Sequence, residues 1–369
     1  MSKNGIQFLD LVKYSFNRRD KAGLIGDGQY NRVQDLFKRI AKSDIANKNI
    51  KDLTEEDYQK FFIELSNEYS QSSFDKFYFE INQALEYAFR KKVIDEFPVD
   101  KKLKPRCKKQ TKKIIALTTK QQKVLTNYIE EITIKGYPYK NATLIQMYMG
   151  LRIGEVNALS IEDIDLNKKQ IHVHKTIALD RNRKPFVQEH PKTDASNRTL
   201  PIPDNILPYI KEQMEVAKIH KDNLLFLNER GGLVRESSSN SQLKTRLVNL
   251  GIYQNNMSTH SLRHTYATRY MEASAKNSVE KMTALTVLSK LMGHSDISVT
   301  IRSYITVFDE IKEEFTNGIS KYYDKLDLFK EKTTNNEEEQ KITKNDKKER
   351  SNIIYFPTQK NCSNGWYER

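Results

Sequence analysis

The sequence predicts a mainly α-helical protein with a small antiparallel β-sheet, an α+β fold in two domains, and three observations carry that expectation. At 369 residues the chain exceeds the size at which a single hydrophobic core usually stops growing. Apolar positions recur at helical spacing through most of it, and extended stretches are confined to residues 170–203. A basic, proline-containing segment near residue 100 separates the two halves.

Residues 1–99 read as an all-helical bundle. Thr54 can cap a helix through Asp57, and Phe61, Phe62 and Leu65 follow on one face. Phe74, Phe77, Tyr78, Ile81, Leu85 and Ala88 line another helix, which Pro98 is expected to stop. Residues 100–114 read as a linker, because DKKLKPRCKKQTKK carries eight basic residues and one acid. Lys101, Lys102, Lys104, Arg106, Lys108 and Lys109 are its candidate DNA contacts, although a solvated tether fits the segment equally well. The second domain, 115–330, opens on a capping signal from Thr118 to Gln121. Three extended pieces interrupt its helices, at Gln170–Ile177, Lys184–His190 and Arg198–Pro203, with turn-rich LDRNRK and KTDASN between them. Residues 331–369 hold too few apolar side chains to offset the entropy of ordering, so a charged, disordered tail is expected.

A formal charge of +14 makes nucleic acid the leading partner. A membrane partner has little support, since no run approaches the length of an apolar span and no signal-like stretch opens the chain. Cys107 and Cys362 lie far apart, which suggests a reduced, cytoplasmic protein without disulfides. No cofactor is expected: there is no phosphate-binding loop and no acidic cluster with metal-ligand spacing. His260 and His264 have the spacing of zinc ligands, with His294 as a third, but Ser261 stands where a zinc protease carries its glutamate. His172 and His174 share one face of the first strand and read as surface residues.

Three strings carry the chemistry. In MGLRIGEVNALS, residues 149–160, Gly150 and Gly154 bracket Arg152, and Glu155 can hold its guanidinium. In THSLRHTYATRY, residues 259–270, His260 and Arg263 project from one helical face and suit a phosphate, the guanidinium gripping oxygens and the imidazole moving a proton. In LMGHSDISVTIRSY, residues 291–304, Gly293 stops a helix, His294 follows, and Asp296 begins a helix ending near Tyr304.

In this order the strings resemble the tyrosine recombinases, the phage-type integrases, and most of all those of conjugative transposons and phages. The resemblance covers about residues 115–320. It implies a clamp on duplex DNA, with a helical core-binding domain before the catalytic one. It also implies that Arg152 and Arg263 bind the scissile phosphate beside His260 and His294, with Lys192 of HPKTDASNRTLPIP as the hairpin lysine and Tyr304 as nucleophile. Tyr304 lies ten residues after His294, where many relatives have nine, and Thr306 stands where a histidine is common.

The expected partners are double-stranded DNA at attachment or terminal sites, three further copies in a synaptic homotetramer, and an accessory DNA-bending or directionality factor. The free chain would be a monomer or weak oligomer. After Tyr304, the apolar stripe Ile311, Phe315, Ile319, Tyr322 and Leu326 would dock on a neighbouring subunit or fold back on its own domain. No arm-site module is expected ahead of the bundle. Two other readings use the same residues: a type IB topoisomerase-like DNA relaxer, and a sequence-specific DNA-binding regulator on a recombinase scaffold.

Overall fold

A computed structural model describes residues 5–109, 114–189, 194–220, 223–298, without 277–280, and 300–301. Its elements are mostly helices, joined by short antiparallel strands.

The N-terminal part packs α1 (Phe8–Lys21), α2 (Asp27–Ile40), α3 (Glu55–Glu68) and α4 (Gln71–Arg90) around an aromatic-rich core of its own. The Thr54 cap forms as expected: its Oγ1 accepts from the Asp57 backbone N–H at 3.3 Å, and the Asp57 carboxylate takes the Thr54 N–H at 3.1 Å. All six residues of the Phe74–Ala88 face are buried. Helix α4 ends at Arg90, however, well before Pro98. Beyond Ala88 the apolar residues leave helical register, and Ile94 and Val99 bury themselves by folding back over the bundle after Lys92 takes a left-handed conformation (φ 53°).

The second core gathers α5 (Thr119–Glu131), α6 (Lys140–Met149), α7 (Ile153–Asn157), α8 (Leu207–Ala217), α9 (Glu236–Asn249) and the first turns of α10 (Thr259–Lys276). Thr118 and Gln121 form the expected reciprocal cap on α5. Helix α6 is buried at every residue but Tyr148 and lies against α10. A smaller apolar cluster joins α10 to α11 (Lys281–Met292) through Ala267, Met271, Leu285, Leu288 and Met292.

Instead of one sheet, the extended pieces make two. Strands β1 (Ile164–Asp165), β2 (Gln170–Val173) and β5 (Arg198–Pro201) pair antiparallel in the order β1-β2-β5, while β3 (Thr176–Leu179) and β4 (Pro185–Gln188) form a separate hairpin. The expected continuous strand Gln170–Ile177 breaks at His174 and Lys175. Asp163 draws both away, forming an ion pair with Lys175 Nζ at 3.1 Å and meeting His174 Nε2 at 2.8 Å, while Lys175 Nζ donates to Ser160 Oγ at 2.7 Å. His172 is exposed and stacks on His174, with its Nε2 2.9 Å from Asn197.

The β3–β4 turn reaches the N-terminal bundle. Arg181 grips Asp20 in a fork at 2.7 and 2.8 Å, reaches Asp27 at 3.2 Å and covers the Tyr30 ring. Arg183 meets Asp35 at 2.8 Å, and Asn31 donates to the Asp180 carbonyl at 2.8 Å. Among the described residues no helix is long and apolar enough to cross a membrane.

Candidate active site

Helix α6 stops at Gly150, whose φ of 71° suits glycine, and a Cβ there would strike the Tyr266 ring. The chain then turns so that Arg152 becomes the N-cap of α7. Glu155, buried in the first turn of α7, accepts from the Arg152 backbone N–H and from Arg152 Nη1, each at 2.8 Å. The expected clamp of Glu155 on Arg152 is therefore present.

Arg263 sits one turn into α10 and is buried. It donates to the Gly150 carbonyl at 2.8 Å, to the Met292 carbonyl, and to His294 Nε2 at 3.0 Å. Gly293, with φ 64°, ends α11 as expected and leads into His294. Because a guanidinium only donates, Nε2 of His294 accepts, which leaves the ring proton on Nδ1 to face Thr300 Oγ1 at 2.7 Å.

Three successive carbonyls at the end of α11 each accept from a different arginine. Leu291 takes Arg198 Nε at 2.8 Å, Met292 takes Arg263 Nη2, and Gly293 takes Arg152 Nη2 at 3.0 Å. A helix C-terminus carries partial negative charge and unpaired carbonyls, so a concentration of guanidinium groups is favourable there. The same geometry places Arg152, Arg263 and His294 around one turn.

Burial, together with the charges of Arg263, Arg152, Arg198 and His264, pushes the His294 imidazole down to about 4. Burial, then the charges of His260 and Arg263, does the same to His264, also to about 4. For Glu155 burial pushes upward, but the hydrogen bond and charge of Arg198, helped by Arg152 and Arg263, outweigh it and hold the carboxyl at about 2. The two histidines are thus neutral in the folded protein at pH 7, and their unfolded counterparts bind protons first as pH falls from about 6.5 towards about 4. Stability present above pH 6.5 should be lost across that window, and His294→Asn should flatten the decline. Urea midpoints at pH 7 and pH 5 check this; an unchanged pH dependence in the variant refutes the assignment.

His260 stands apart from this cluster. It is exposed in the first turn of α10, with Nε2 3.6 Å from Glu236 Oε1. Lys192 and Tyr304 lie outside the described residues. The helix expected to lead to Tyr304 begins as read, with the Ser298 N–H donating to Asp296 at 2.8 Å.

The basic segment lies against the bundle through residue 109. Lys104 pairs with Asp75 at 2.8 Å and sits over the Tyr78 ring; Lys101 approaches Glu86 at 3.5 Å; Lys109 donates to the Glu68 carbonyl at 3.2 Å. Lys102, Arg106 and Lys108 are exposed.

Sequence reasoning missed Arg198. It forms a two-pronged pair with Glu155 at 2.9 and 3.1 Å and fills the space where a Cβ on Gly293 would stand. The available signal was its place on β5, two residues before buried Leu200 and hence on the same face. A charged residue on a core-facing strand position requires a buried partner.

A model of the phage integrase family matches residues 115–310, more than half of the chain. The chain belongs to the phage integrase family. All six candidate catalytic residues fall inside the matched span. The chain is similar to a XerC-like tyrosine recombinase of Caldanaerobacter subterraneus subsp. tengcongensis, 29% identical over 236 residues, covering 56% of this chain and 57% of that relative. The chain thus spans little more than half the length of this relative. It is also similar to the transposase of transposon Tn916 from Enterococcus faecalis, 23% identical over 292 residues, covering 76% of this chain and 70% of the transposase. In fold it resembles the integrase of transposon Tn1549, solved in complex with transposon right-end DNA: TM-score 0.68, 18% identity, 81% of this chain and 95% of that one. The helical architecture with small antiparallel sheets is thus the integrase fold.

Proposed function

We propose that this chain is a site-specific DNA recombinase that integrates and excises a mobile element through a 3′-phosphotyrosyl intermediate. The observation that carries the proposal is the convergence of Arg152, Arg263 and His294 on one turn inside the family match.

Attack on a phosphodiester gathers negative charge on the non-bridging oxygens, and preorganised cations stabilise it. Arg152 and Arg263 supply that charge without titrating. The Tyr304 oxygen attacks phosphorus while His260 takes the phenol proton, which suits its exposed place one turn before Arg263. The bond from phosphorus to the 5′ oxygen breaks, and Lys192 protonates the departing oxygen. His294 can donate to a phosphate from Nε2 once an anion between the arginines offsets the burial and the neighbouring charges that keep the ring neutral. Rejoining reverses these steps with a 5′ hydroxyl as nucleophile. The phosphotyrosyl link conserves the bond, so resealing draws on no nucleotide.

Exchange between two duplexes breaks four strands, so a homotetramer with one nucleophile per strand is the assembly this chemistry needs, formed from a monomer or weak oligomer. Exposed Lys102, Arg106 and Lys108 would follow the phosphate backbone, their exposure supporting a clamp formed by the helical domain and the catalytic domain. The protein would act in the cytoplasm on nucleoid DNA, with an accessory bending or directionality factor setting the outcome.

The test is to trap the wild-type protein on nicked suicide duplexes drawn from the ends of the DNA segment that carries the gene. A covalent adduct should form, and digestion should yield a nucleotide-bearing peptide containing Tyr304. No adduct, or attachment elsewhere, refutes the proposal.

A further inference from the structure

We infer that Arg198 is a positioning residue of the cleavage site, acting on the phosphate through Arg152; this rests on the recombinase reading. Arg198 and Glu155 are both nearly sealed from solvent, with 8% and 5% of their side chains exposed, whereas Arg152 keeps 37%. Both Glu155 oxygens are shared. Oε1 accepts from Nη1 of Arg152 and Nη1 of Arg198, and Oε2 accepts from the Arg152 backbone and Nη2 of Arg198. Arg198 also donates to the Leu291 and Ser196 carbonyls, at 2.8 and 3.2 Å.

Two consequences follow from this arrangement. The first is electrostatic. Glu155 alone would neutralise Arg152, leaving the phosphate to Arg263; with Arg198 the triad of two guanidinium groups and one carboxylate carries a net charge of +1. Arg198 therefore satisfies the buried carboxylate and leaves the charge of Arg152 to the substrate. The second is geometric. Arg198 ties β5, the start of α7 and the end of α11 together, so Arg152 and the turn carrying His294 are set by one side chain. A lysine could reach one Glu155 oxygen but cannot present the flat fork that spans both while also serving Leu291.

The experiment compares single-turnover cleavage by wild type, Arg198→Gln and Arg198→Lys on the nicked suicide duplex, alongside duplex Kd. Each protein is also given the same duplex with a neutral methylphosphonate at the scissile position. Arg198→Gln should cleave the phosphodiester about 100-fold more slowly, with Kd within about threefold of wild type. Arg198→Lys should recover only part of the loss. On the methylphosphonate, where less charge has to be stabilised, the Arg198→Gln defect should shrink to below about tenfold. Should Arg198→Gln fail to fold, Arg198→Lys carries the comparison: it keeps a cation beside Glu155 without the fork, so it should still cleave the phosphodiester more slowly than wild type, with a defect that again shrinks on the methylphosphonate. Wild-type rates in the variant, or an equal loss on both substrates, overturn the inference. Absence of any adduct with wild type would instead refute the recombinase reading.

Discussion

Arg263→Lys lowers the single-turnover rate of strand cleavage by about a thousandfold while duplex Kd stays within a fewfold of wild type. Arg263 commits N–H groups on both terminal nitrogens to three fixed acceptors, Gly150 O, Met292 O and His294 Nε2. An ammonium has the charge but not the planar fork, so it cannot hold the end of α6, the end of α11 and the imidazole at once. The carbonyls it abandons are buried, and each unsatisfied polar group costs about 1–3 kcal/mol. Rapid-quench cleavage and filter binding on the same duplex check the split between rate and affinity. A rate within tenfold of wild type would remove Arg263 from the phosphate site.

Gly150→Val is expected to cost about 2–5 kcal/mol, a large share of the stability of a typical domain. A β-branched residue at φ 71° accounts for about 1–2 kcal/mol, and the overlap of its Cβ with the Tyr266 ring for about 1–3 kcal/mol. The damage falls on the junction of α6 and α7, where the Gly150 carbonyl receives Arg263. Urea unfolding should show a lower midpoint, and Tyr266→Ala in the same background should restore part of it. An unchanged midpoint would mean that the turn accepts a side chain, and the close-approach argument would fail.

Features that short-range physics dictates were legible in the sequence. The caps at Thr54 and Thr118, the buried face from Phe74 to Ala88 and the stop at Gly293 each depend on residues within a few positions of one another. The misreadings share a cause of the opposite kind. The break between β2 and β3 follows from Asp163, a residue in a preceding turn that competes for His174 and Lys175. The early end of α4 follows from Ile94 and Val99 finding the bundle core when the helix cannot deliver them there. Within the site, Arg152 and Glu155 were legible because they stand three apart on one turn. Arg198 was not, because its partner is 43 residues away and the carbonyl it serves, on Leu291, is 93 away. The three backbone acceptors at the end of α11 are invisible to any reading of side chains.

The clasp between the β3–β4 turn and the N-terminal bundle includes three ion pairs between partly exposed groups, Arg181 with Asp20 and Asp27 and Arg183 with Asp35. Exposed pairs of this kind weaken as the Debye length shrinks from about 30 Å in dilute buffer to about 8 Å at physiological ionic strength, whereas apolar cores do not. Unfolding of the two cores is therefore expected to be more tightly coupled in dilute buffer than at high ionic strength.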